Sequence, residues 1–256
     1  MLTLHLDLAD FGVFLAILLR LSIVVFMLPI FSSSQIPTFL KACIAVAFTA
    51  MLYPTLRPAL PPLSFEPVSL LVSVAGEIVF GIMFSLSILL VFAGYQTAGE
   101  LISFEMGFGF AQAADPQSGA HATLISVLFQ VLATLVLLSL NGHHIILRAI
   151  VDSFRTIPVG AFSLSPEVYH RFIGFSTCLF VIAIKVAAPI TIVLLVTQVG
   201  LGLMAKFAPQ FNILMNSFPL TIFIGLLFMS LSVLVWGGTM QRHFKELLQF
   251  LMSLLA

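Results

Sequence analysis

The sequence predicts an all-α fold, a polytopic membrane-type protein of about six long apolar helices. Three observations lead there. Of 256 residues, 61% are hydrophobic and only 8% charged, where soluble domains are about 45–50% apolar and a quarter charged. The mean hydropathy is +1.19. Six apolar stretches reach the roughly 20 residues that a helix needs to cross a hydrocarbon core of about 30 Å. This composition excludes a disordered chain, an ordinary cytosolic enzyme and a secreted disulfide scaffold. Ten basic and ten acidic residues cancel, so no basic face is expected for nucleic acid. Cys43 and Cys178 both lie in apolar runs, with no sign that they meet. The N-terminal segment carries Asp7 and Asp10 where a signal peptide needs base, so no cleavable leader is expected. The chain reads as one membrane-embedded unit.

The first apolar stretch runs from Phe11 to about Phe31 with Arg20 at its middle, and the second from Ile36 to Leu56 with Lys41 near its start. Between them, Ser32-Ser-Ser-Gln35 before Pro37 reads as a turn with a ready N-cap. Pro54 to Pro67 is proline-dense and is expected to be irregular. The third stretch, Val68 to about Tyr95, contains Glu77; Gly94 to His121 follows as a long, glycine-broken, acidic connection. The fourth, Ala122 to Leu140, is uncharged. Asn141 to Arg171 is the most polar part, with Ile145–Thr156 reading as a short helix. The fifth, Phe172 to about Val199, has Lys185 near its midpoint and Pro189 just after; the sixth, Ile213 to about Met240, contains Pro219 and Gly225.

Six spans crossed in order put Arg57, Arg148, Arg155, Arg171, Arg242 and Lys245 on one side and only Lys41 and Lys206 on the other. This bias favours both termini in the cytoplasm. Charges within the spans need an explanation, because one at a bilayer centre costs about 2.5–3.5 kcal/mol on insertion scales. Arg20, Glu77 and Lys185 could form a proton or ion relay, or they could pair with each other or with a partner subunit and never meet lipid. Pairing is favoured, since a relay usually shows several acids or histidines within spans and Glu77 is the one acid clearly within a run. Gly76 with Gly81 and Ser85, and Gly94 with Ala98, have the spacing of close helix contacts.

No HExxH, CxxC or GxSxG motif occurs. The adjacent His143 and His144 would point about 100° apart on a helix, a poor chelate, so they read as a helix start. No metal, cofactor or catalytic residue is expected, and an intramembrane enzyme lacks a nucleophile with a base in register. Two segments stand out instead. In Phe104-Glu-Met-Gly-Phe-Gly-Phe110, the aromatics are too apolar for a solvated loop, while Gly107 and Gly109 oppose a stable helix. Asp115-Pro116 then closes the segment with a turn signal. Irregular apolar backbone at membrane depth requires surrounding protein or a cavity, which suggests a loop inserted in a channel or interface. In Gly200–Asn212, glycines, Lys206 and Pro209 are expected to break the fifth helix. Two interruptions of this kind also suit a small secondary transporter with broken helices.

The ordered series Gly107-Phe-Gly-Phe-Ala111, Asp115-Pro116, Gly119, Asn141-Gly-His143, Ala205-Lys-Phe-Ala-Pro-Gln-Phe-Asn212 and Phe218-Pro219 resembles the R-subunit family of the flagellar type III export gate. The T subunit of injectisomes is its near neighbour. The resemblance covers essentially the whole chain, and two departures are minor: Lys206 stands where arginine is expected, and Asn216 is polar where relatives look apolar. The resemblance implies helices arranged as helical hairpins, with a P-like part over about residues 1–170 and a Q-like part over about 171–256. It implies one copy of the chain assembled with P and Q subunits, and with the B subunit of the apparatus, in the bacterial inner membrane within the flagellar basal body. Unfolded flagellar proteins would pass through the lumen of that assembly. A plug formed by Met106, Gly107, Phe108, Gly109, Phe110, Asp115, Pro116 and Gly119 would close it, with the phenylalanines as obstruction and the glycines as hinges. Lys206, Pro209, Gln210 and Asn212 would form the interrupted-helix motif. Much of the apolar surface would then face sister subunits instead of lipid.

Overall fold

The computed structural model describes residues 8–29, 36–61, 65–108, 123–207 and 213–254, and among them the chain is helical without a strand. The elements are α1 (Leu8–Met27), α2 (Thr38–Leu56), a 3₁₀ turn (Arg57–Ala59), α3 (Pro67–Glu105), α4 (Leu124–Ser139), α5 (Gly142–Thr156), α6 (Pro166–Ser176), α7 (Cys178–Phe207) and α8 (Ile213–Ser253). Four helices, or up to six if two bent pairs each count as one span, are long and apolar enough to cross a membrane. The chain divides into two compact units. The first comprises Met1–Leu90, Asn141–Ser176 and Lys245–Ala256; the second comprises Val91–Leu140 and Thr177–Phe244.

In the first unit, α1 buries Val13, Ile17, Leu21 and Val24, the three-and-four spacing of one helical face. It packs on α2, which in turn meets α5. The α2 helix starts after Pro37, in extended conformation and without a side-chain cap; the serine run expected to cap it lies outside the described residues. Proline does not end α2: Pro54 sits in the last helical turn and the helix reaches Leu56 before the 3₁₀ turn. Near a helix end the missing N–H removes only one bond, so the expected irregularity begins later. Arg57 then ties this end to α1 through Asp10 Oδ1 at 2.6 Å. The α5 helix begins at Gly142, where Asn141 takes a left-handed conformation with φ 53°, a state asparagine tolerates better than most residues. His143 and His144 occupy its first turn.

In the second unit, Gly94 and Gly99, expected to break the chain, are helix contacts. The α3 helix continues unbroken to Glu105. A methyl group on Gly99 would come within 2.5 Å of the Ser126 Cα, and one on Gly94 within 2.9 Å of Ile182. Backbone-to-backbone approach of this kind requires glycine. Tertiary contact thus overrides the helix propensity that glycine lacks. The spacing of Gly94 and Ala98 is borne out as a contact face, Ala98 being fully buried. The α7 helix also runs on through Gly200 and Gly202 to Phe207, with nothing close to either glycine. Gly200 and Gly202 therefore do not interrupt the helix, which ends at Phe207; the remainder of the expected interruption, residues 208–212, lies outside the described residues. Aromatic packing closes the unit: Phe129 lies 4.7 Å from Trp236, Phe92 lies 5.5 Å from Phe244, and the buried Tyr95 hydroxyl meets His243 Nδ1 at 2.8 Å.

Candidate functional site

Two polar constructions stand out, one in each unit. The first is built on Arg20 and Glu77, exposed by 0% and 1%. Arg20 comes from the middle of α1 and Glu77 from the third turn of α3. The Arg20 Nε donates to Glu77 Oε2 at 2.5 Å and Nη2 to Oε1 at 2.8 Å, a bidentate pair. Nη1 donates to Ser153 Oγ at 3.0 Å, and both Nη1 and Nη2 reach the Ile157 carbonyl at 3.4 and 3.3 Å. All five guanidinium N–H groups are therefore satisfied. The Gly160 amide donates to Glu77 Oε1 at 3.1 Å. Phe80 and Phe154 hold the guanidinium between their rings, 4.6 and 4.2 Å from its central carbon.

The cluster is also a helix cap. Ile157 ends α5, and the guanidinium sits at the negative end of that helix dipole. Gly160 has φ +77°, and a methyl group there would lie 2.5 Å from Ser73 Oγ, so the turn that presents its amide to Glu77 needs glycine. Sequence reasoning identified Arg20 and Glu77 but missed Ser153, Ile157, Gly160, Phe80 and Phe154. The Pro158-Val-Gly160 turn was the available signal. Lys185 belongs to the second unit and is exposed on α7. An apolar run marks a residue as lying within a helix, but not which face it occupies.

The second construction holds the point where α3 ends. Gly107, with φ +92°, closes the helix by donating to the Phe104 carbonyl at 3.0 Å, the usual role of a left-handed glycine at a C-terminus. A methyl group there would meet the Phe218 ring at 2.6 Å. Met106 is fully buried; its carbonyl accepts from Thr221 Oγ1 at 3.3 Å, and its side chain fills the space that a Cβ on Gly225 would need. Gln198 Nε2 donates to both the carbonyl and the carboxylate of Glu105 at 3.0 Å. Helices α7 and α8 thus fix the last turn of α3, and a cleft of about 550 Å³ opens there, lined by Phe104, Gly202, Ala205, Ser217 and Phe218 among others.

The returning strand of chain is fixed as well. Thr123 caps α4 by accepting from the Ser126 amide at 3.2 Å, and its hydroxyl accepts from Ser103 Oγ at 2.8 Å, both side chains being buried. With Gly99 against Ser126, this makes a clasp joining the two ends of the intervening segment. Met106, Gly107 and Phe108 are the described part of the predicted plug; Gly109, Phe110, Asp115, Pro116 and Gly119 lie outside the described residues. Lys206 is exposed in the last turn of α7, while Pro209, Gln210 and Asn212 lie outside. Gln198, Thr221 and Gly225 were not singled out as partners of this segment, because their role depends on contacts distant in sequence. Among the described residues, no group of three or more His, Cys, Asp or Glu could hold a metal.

The described residues thus form the all-helical architecture of a polytopic membrane-type protein. The chain belongs to the bacterial export proteins, family 1, matched over residues 11–247. It is 30% identical to flagellar biosynthetic protein FliR of Escherichia coli (strain K12), over 93% of this chain and 91% of that one. It is 32% identical to FliR of Aquifex aeolicus (strain VF5), over 86% and 85%, and 29% identical to FliR of Bacillus subtilis (strain 168), over 96% and 95%. The family is thus named for export and these relatives for flagellar biosynthesis.

Proposed function

We propose that the chain is the single-copy R-type subunit of a flagellar type III export gate. The family places it among bacterial export proteins, and its likeness to flagellar relatives along nearly their whole length is the observation that carries the flagellar assignment. In this reading it assembles in the bacterial inner membrane, within the flagellar basal body, with P and Q subunits and beside the B subunit. About residues 1–170 form the P-like part and about 171–256 the Q-like part. The complex encloses a channel for unfolded flagellar proteins. The chain needs no chemistry of its own; driving energy comes from other components.

The segment from Met106 to Gly119 plugs the closed lumen. Support for this comes from its apolar, glycine-interrupted sequence and from the clasp at its base. A plug must move while its root stays in place, and Ser103, Thr123, Gln198 and Thr221 provide such a root. Gly107 and Gly109 are then the hinges and Phe108 and Phe110 the obstruction. Arg20 and Glu77 hold the scaffold, and the motif of Lys206, Pro209, Gln210 and Asn212 contributes to the path beside it. Co-expression with P and Q subunits is expected to yield a stable complex, and a chain that never co-purifies with them would refute the assembly. Deleting Met106–Phe110 is expected to make cells leak ions through the assembled gate; unchanged permeability would refute the plug.

A further inference from the structure

Helix α7 leaves an apolar face open along nearly its whole length. Its buried stripe is narrow, running through Ile182, Val186, Ile190 and Leu194. On the open face, Phe180 is 68% and Ile184 62% exposed, followed by Ile192, Val196, Leu203 and Phe207. At 1.5 Å per residue, the face from Phe180 to Phe207 extends about 40 Å, against a hydrocarbon core of about 30 Å. Lys185 stands within this face, exposed, with no ion-pair partner among the described residues. Four residues on, Pro189 lies inside the helix and has no N–H to offer the Lys185 carbonyl. An ammonium and a carbonyl short of its helical donor therefore occur at one level.

Lipid alone cannot cover this face. A hydrocarbon layer over Val186–Ala205 leaves Phe180, Val181 and Ile184 in an aqueous or headgroup setting. Moving the layer to cover them puts Lys185 into hydrocarbon, where an unpaired charge is strongly disfavoured. A protein surface that is apolar and carries one acceptor meets both demands. We propose that residues 180–189 of α7 seat an apolar helix of another membrane subunit bearing a carboxylate at the level of Lys185. The proposal rests on the reading of this chain as one subunit of an export gate, and it adds which face is covered and by what chemistry.

The test uses the full chain in membranes of cells making the whole gate. A benzophenone side chain at Ile184 is expected to cross-link to one subunit, at an apolar helix containing Asp or Glu identified by mass spectrometry. Lys185→Glu is expected to lower the co-purified amount of that subunit at least tenfold, and changing the mapped carboxylate to lysine is expected to restore it. Because Lys185 is exposed, the substitution leaves the chain's own core intact; an unaltered proteolysis pattern checks this. Cross-linking to lipid alone, or wild-type recovery with Lys185→Glu, overturns the docking proposal. If the wild-type chain still brings down gate subunits in that case, the export-gate reading stands. A wild-type chain recovered alone overturns both.

Discussion

Arg20 shows what a charge in an apolar helix needs. Its guanidinium is fully buried, yet every N–H has an acceptor and both faces meet an aromatic ring. Removing one partner from such a pair leaves an uncompensated buried charge, which typically costs about 3–5 kcal/mol, whereas replacing both with apolar residues is often close to neutral. Arg20→Ala is therefore expected to destabilise the chain by about 3–5 kcal/mol, and Arg20→Met with Glu77→Leu by far less, as read from thermal unfolding of the purified complex. A relay predicts the reverse for function: the apolar pair would be stable and inactive. Preserved motility with the double substitution would assign the pair to structure. At Gly107 the positive φ and the adjacent Phe218 ring both exclude a side chain. Gly107→Ala is expected to cost about 1–3 kcal/mol, measured as lower abundance of the chain in membranes.

At the scale of elements, the α3–α4 clasp yields a sharp expectation. Ser103 Oγ and Thr123 Oγ1 lie 2.8 Å apart, so a cysteine pair at these positions can form a disulfide without large backbone movement. In a background with Cys43 and Cys178 changed to serine, the Ser103→Cys, Thr123→Cys pair is expected to oxidise fully and leave motility unchanged, because the root of the proposed plug need not open. Motility lost on oxidation and restored by reductant would show that the root itself moves. The helices were largely legible in the sequence, since runs of 18 or more apolar residues have few alternatives. Their ends were less so. Gly94, Gly99, Gly200 and Gly202 look alike in sequence, but the first two admit a neighbouring helix and the last two face open space. What separates them is a partner distant in the chain. The site was legible in proportion to its local character: Arg20, Glu77 and the glycine-phenylalanine segment declare themselves, whereas Ser153, Gly160 and Thr221 acquire meaning only through folding.

The whole molecule carries more apolar surface than a bilayer can cover. The α3 helix alone has 39 residues, about 58 Å at 1.5 Å per residue, and Phe39, Met51, Phe104 and Phe207 are each more than 70% exposed. Such area on a membrane protein marks subunit contact as well as lipid contact. The solitary chain is expected to be polydisperse in mild detergent and to become monodisperse when co-expressed with the proposed P and Q subunits, as read by size-exclusion chromatography with light scattering. A monodisperse solitary chain would show that detergent suffices where protein is expected.

The buried guanidinium also sets a timetable for making the protein. Arg20 emerges from the ribosome early, yet its last acceptor, the Ile157 carbonyl, comes 137 residues later. At about 5–20 residues per second, translation takes about 7 to 27 s to cover that distance. Throughout this interval the first helix carries a cation whose final partners do not all exist. Its hydrogen bonds can be completed only once α5 and the residue that ends it have been made. The order of synthesis thus places α1 well ahead of the last groups that hold its arginine.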